Sequence, residues 1–110
     1  MAEPTLVQVF GAGATQDAST LTIQKSALAD KGLTISASNT AESLLAAIVL
    51  LTSSYLNETS QATNTDIQIT IADSGYPQII TRNSIQYRQT TYNVNFQKVD
   101  DSTTLDPDNF

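Results

Sequence analysis

The hydrophobic period of this chain changes once, at Asp66, and that change limits the folds open to it. Before it, Asn39-Thr40-Ala41-Glu42 opens a helix expected over about Thr40 to Leu56, with Asn39 as N-cap and Glu42 near the positive end of the helix dipole. At 100° per residue, Ala41, Leu44, Leu45, Ile48, Val49, Leu51, Tyr55 and Leu56 fill an arc of roughly 160°. After it, Ile67, Ile69 and Ile71 alternate with Gln68 and Thr70, Ile85 and Tyr87 with Gln86 and Arg88, and Tyr92, Val94 and Phe96 with Asn93, Asn95 and Gln97. Asp73-Ser74-Gly75 and Arg82-Asn83-Ser84 supply turns between these runs. The expected class is α+β: an antiparallel, sandwich-like sheet built mainly from Ile67 to Val99, with one main helix on its apolar face.

Flanking segments carry weaker signals. Thr5 to Phe10 reads as a strand stopped by the turn Gly11-Ala12-Gly13, and Leu21-Thr22-Ile23 as a second short strand. Ser26 is placed to cap one helical turn through Ala27, Leu28 and Ala29, with Gly32 supplying a left-handed exit. Asn57 to Asp66 holds turn and cap residues and no large apolar side chain, so it reads as a loop. Residues 1–99 therefore form one domain. Asp100 to Phe110, with four aspartates, no basic residue and Pro107, reads as an acidic extended arm reaching roughly 35 to 40 Å when stretched.

Charge narrows the choice of partner. Charged residues make up 15% of the chain, below the roughly 25% usual for soluble domains, so Ser, Thr, Asn and Gln must cover much of the surface. The net charge of -6 disfavours nucleic acid and anionic membrane, which call for a basic footprint. No secretory pattern is seen after Met1, so synthesis in the cytoplasm is expected. The longest apolar run, Leu44 to Leu51, falls far short of the roughly 20 residues that span a bilayer. In that setting the glycosylation sequon Asn57-Glu58-Thr59 is a chance match.

Catalytic chemistry finds little to work with. There is no His, Cys or Trp, and neither Lys25, Lys31 nor Lys98 stands in a Ser-x-x-Lys arrangement. Gly11-Ala12-Gly13-Ala14-Thr15-Gln16 has Gln16 where a dinucleotide loop needs its third glycine. Asp106-Pro107-Asp108-Asn109 opens like a calcium loop but lacks the central Gly and closing Glu. No enzyme activity, cofactor or metal is expected.

Contact with other chains is the reading that remains. On the predicted helix, the arc away from the sheet carries Ser43, Ala46, Ala47, Leu50, Ser53 and Ser54, where Lys and Glu would be usual, so Ala46, Ala47 and Leu50 are candidate contacts. Tyr76 at a loop tip is another. Leu105 and Phe110, the large apolar residues after Val99, are expected to anchor the arm on a neighbouring chain.

Across Thr22-Ile23-Gln24-Lys25-Ser26 and Asn39-Thr40-Ala41-Glu42-Ser43-Leu44-Leu45, about the first half of the chain, the sequence resembles small structural proteins of tailed bacteriophages and prophages, cyanobacterial ones included. The resemblance carries no residue-level functional motif. It implies a virion component: a capsid cement or decoration protein first, a tail, neck or baseplate piece second. Its partners would be itself and other virion proteins, such as the major capsid protein or tail and neck proteins. A free-standing adaptor that receives a soluble partner is the alternative from a different class.

Overall fold

The computed structural model describes residues 2–100 and 104–110. In chain order the elements are α1 (Leu6–Phe10), β1 (Thr15–Gln16), β2 (Leu21–Thr22), α2 (Lys25–Ala29), α3 (Ala41–Ser53), α4 (Glu58–Thr63), β3 (Ile69–Asp73), β4 (Gln78–Arg82), β5 (Ile85–Gln89) and β6 (Tyr92–Phe96), followed by a 3-10 turn at Pro107–Asn109. The class is α+β, with α3 as the main helix.

Local capping accounts for several boundaries, and for two departures from expectation. Leu6 to Phe10 is a helix rather than a strand. Thr5 Oγ1 accepts from the Gln8 amide at 3.1 Å while Gln8 Oε1 accepts from the Thr5 amide at 2.9 Å, a reciprocal capping box that outweighs the β-prone Val7, Val9 and Phe10. The segment after α3 is likewise helical over Glu58–Thr63 rather than a loop. Asn57 links the two helices: its Nδ2 donates to the Ser53 and Ser54 carbonyls closing α3, and its Oδ1 accepts from the Ser60 amide opening α4.

Two cap assignments move by a residue or two. Thr40, not Asn39, caps α3, accepting from the Ser43 amide at 3.1 Å. Asn39 instead pins the preceding loop, accepting from the Ser36 amide and donating to the Thr34 carbonyl. In α2 the N-cap is Gln24, and Ser26 lies inside the first turn. Gly32 does provide the left-handed exit, at φ +102°: the Leu33 amide reaches the Leu28 carbonyl and the Gly32 amide the Ala29 carbonyl, the paired bonds of a Schellman ending.

All strand pairs are antiparallel, β1 with β2, β3 with β6 and β4 with β5, and they form three two-stranded ladders rather than one sheet. The last two ladders belong to one long ribbon. Ile69 opposes Phe96 and Asp73 opposes Tyr92, whereas Gln78 opposes Gln89 and Arg82 opposes Ile85. Four residues, 74–77, thus face two, 90–91, and the ladder breaks there as at an enlarged bulge. At the tip, Asn83 and Ser84 both have positive φ, 52° and 64°, as a two-residue hairpin loop of the I′ kind requires.

The core is divided by α3. Ala27 and Leu28 of α2 pack on Ala47 and Leu51 with Ile23, Leu33, Leu44 and Ile48 around them. Leu56, Ile67 and Ile71 form a second cluster with Val9, Val49, Tyr55, Ile69 and Tyr92. The β3 end of the ribbon is held to the connection between α3 and α4, the Ile71 amide donating to the Leu56 carbonyl at 2.8 Å. Burial of these clusters supplies the main drive for folding.

Candidate interaction surface

The outward face of α3 is apolar, but its membership differs from the periodic reading. Leu45, expected against the sheet, is 61% exposed, whereas Ala47, expected outside, is 5% exposed and packs against α2. The reason is that α3 has neighbours on more than one side: α1, α2 and β3 all pack against it. Docking of α2 draws the Ala47 edge inward. The helix is therefore rolled so that Leu45 leaves the core, and Ala47 is withdrawn as a surface contact.

Ala46 and Leu50 do remain exposed, and the fold brings them together with residues from the ribbon. Leu45, Ala46, Val49 and Leu50 line a groove of about 500 Å³ whose far wall is Thr90 and Tyr92, with Glu42 as its charged member. On the other flank of the same helix, Ala46 and Leu50 also border a groove of about 530 Å³ that runs to Lys31, Leu33 and Ser36. A solvated helix face ordinarily carries several charges; this one offers methyl groups and a leucine pair. Burying such side chains would contribute about 25 cal/mol for each Å² removed from water.

Tyr76 is 81% exposed at the junction between β3 and β4. Its amide donates to Ser74 Oγ, and the Gly75 amide to Asp73 Oδ1, so the backbone beneath it is locally ordered. Leu105 is exposed as well. Phe110 behaves otherwise: it is half-buried, stands edge to face with Phe96, and with Leu6, Val9, Phe10 and Ile69 lines a cavity of about 440 Å³ on its own domain. An arm free of helix was expected, yet Pro107–Asn109 forms a 3-10 turn. Pro107 presets φ, and Asp106 Oδ1 accepts the Asp108 amide at 3.0 Å, so that carboxylate serves as a cap. Asp101, Ser102 and Thr103 of the arm lie outside the described residues.

The glycine-rich turn has a packing explanation. Gly11 and Gly13 have φ of +90° and +81°, and a Cβ on Gly11 would stand 2.5 Å from the Ala27 Cβ, so glycine lets the end of α1 sit directly on α2. Among the described residues no group of three His, Cys, Asp or Glu side chains converges as a metal site, and no helix is long and apolar enough to cross a membrane.

Sequence reasoning missed Leu45, Val49, Thr90 and Tyr92 as members of the exposed groove. Only the breadth of the apolar arc hinted at it, since an arc of roughly 160° exceeds what a single packing face needs. No family model, curated protein or solved structure matches this chain.

Proposed function

We propose that this protein is a non-enzymatic structural component of a bacteriophage virion, acting as a cement or decoration protein that stabilises the head through contacts repeated over many copies. The observation that carries the reading is the apolar groove on α3, where Leu45 and Leu50 stand exposed beside Ala46 with Glu42 as the charged neighbour. A surface of that kind gains from contact with another chain. Small neutral interfaces become strong when a lattice presents them many times over. The resemblance of the first half to phage structural proteins supports the virion setting.

Mass spectrometry of purified particles tests this, followed by treatment that strips and restores the protein. Recovery on heads, with loss of thermal stability on stripping, is the expected result. Recovery on tails alone would move the assignment to the tail, neck or baseplate. Absence from particles together with a defined soluble partner would replace it with the adaptor reading.

A further inference from the structure

The β4–β5 hairpin packs chiefly on itself and draws little support from the rest of the fold. Its ten strand residues include none that is buried, and Ile79 and Ile85 are 57% and 56% exposed. A lone two-stranded hairpin is marginal in water, and this one spends isoleucines on solvent.

Its charge is also opposite to that of the rest of the chain. From Ser74 to Val99 the sequence holds Arg82, Arg88 and Lys98 and no acidic residue, a local charge of +3. All eleven acidic side chains lie elsewhere, with only Lys25 and Lys31 to offset them, which leaves -9 on the remaining residues. The acidic remainder of another copy of the same chain is therefore an electrostatic match for this ribbon.

The two faces of the hairpin are unequal. Arg82, Ile85, Ile80 and Tyr87 share one face, where the Arg82 guanidinium already lies 4.3 Å from the centre of the Tyr87 ring. On the other face Ile79 directly opposes Arg88, flanked by Thr81 and Gln86, and an exposed apolar residue sits beside a cation. The α3 groove shows the complementary pair: Leu45 and Leu50 for an isoleucine, Glu42 for an arginine.

We propose that the Ile79/Arg88 face of the hairpin docks into the α3 groove of a second copy, Ile79 against Leu45 and Leu50 and Arg88 against Glu42. This deepens the assembly reading given above and rests on it. Donor and acceptor surfaces differ, so the contact is either exchanged reciprocally between two copies about a two-fold axis or runs head-to-tail from copy to copy, closing as a ring. The groove wall formed by Thr90 and Tyr92 belongs to the acceptor's own ribbon, so a docked hairpin lies beside that ribbon.

Sedimentation equilibrium of the full chain over micromolar to millimolar concentration tests the contact. Arg88→Glu and Glu42→Arg, each alone, are expected to weaken self-association about tenfold, and the two together in one chain to restore it. The positions are exposed, and unchanged circular dichroism melts will show that the variants fold. Because the chain has no cysteine, Leu45→Cys and Ile79→Cys variants mixed under mild oxidation should give a disulfide dimer joining one of each, in excess over either self-paired dimer. Self-association that neither reversal changes, with no mixed dimer, would overturn this contact while leaving the assembly reading intact. A parent protein that stays monomeric at millimolar concentration would overturn it too, and particle composition would then decide the virion reading by itself.

Discussion

The rings of Phe96 and Phe110 meet edge to face, with centroids 5.8 Å apart and planes inclined at 70°. The contact ties residues 107–110 to the strand that closes the ribbon, so this stretch is part of the domain's own packing. Phe110→Ala is expected to lower stability by about 1 kcal/mol, the scale of a half-buried ring with an aromatic partner, and the melting temperature by several degrees. Leu105→Ala, at an exposed position, should stay within about 0.5 kcal/mol. Thermal melts of the two variants decide between this docking and an arm that anchors only on a neighbour, for which both would melt like the parent.

Gly11→Ala should cost more than Gly75→Ala. Both glycines have positive φ, but an added Cβ at Gly11 meets Ala27 while one at Gly75 meets nothing within 4 Å. Backbone strain alone is worth about 1 kcal/mol, and the collision should raise the loss at Gly11 to about 2 to 3 kcal/mol. Urea denaturation of both variants gives the comparison; equal losses would mean that α1 can move off α2 freely.

At the start of α3, Thr40→Ala is expected to lose about 1 kcal/mol with the cap to Ser43, and Thr40→Asp to retain it. Asn39→Ala removes bonds to the loop instead, so it should leave helix ellipticity at 222 nm closer to the parent's. A larger effect at Asn39 than at Thr40 would return the cap to the position expected from sequence.

Asp17 should titrate below the ordinary carboxylate value of 3.8, because its Oδ1 accepts the Ser19 and Thr20 amides, each at 2.8 Å, in the turn between β1 and β2. A depressed pKa in the folded state means that the ionised form stabilises. That contribution is present above the unfolded pKa and is lost as pH falls through the lower folded value, so it fades below about pH 4. Carbon-13 NMR titration of the carboxylate reads the midpoint directly, and Asp17→Asn removes this part of the pH dependence while keeping an acceptor oxygen.

Leu45→Glu and Leu50→Glu should each fold like the parent yet weaken self-association, since both side chains face the groove. Ala47→Glu should fail to fold, because it would bury a charge between α2 and α3. Analytical ultracentrifugation with circular dichroism separates these outcomes. Assembly equal to the parent's in both leucine variants would reduce the groove to ordinary surface.

What the sequence by itself determined was local. The alternation beginning at Ile67 marks the β region, and the paired positive-φ residues Asn83 and Ser84 lie in the turn expected between Arg82 and Ile85. Gly32 as a left-handed exit and Glu42 in the first turn of the main helix were also legible, since each depends on a few neighbouring residues. Two helices were legible in principle: Thr5 with Gln8 spells a capping box, and Asn57 with Ser60 an N-cap, although apolar β-formers masked the first and a lack of apolar residues the second.

Only the tertiary structure decided which surfaces are left over. Periodicity defines an arc on α3 but not its roll, which is settled by α1, α2 and β3 competing for the same helix; hence Ala47 lies inside and Leu45 outside. The strand pattern likewise holds no count of the residues opposed across the ribbon. The excess of residues 74–77 over 90–91 separates β4–β5 from β3–β6, and the fate of Phe110 depends on Phe96 lying within reach. Each of these is a relation between segments distant in sequence, set by which buried contacts can be satisfied together, and no local pattern encodes it.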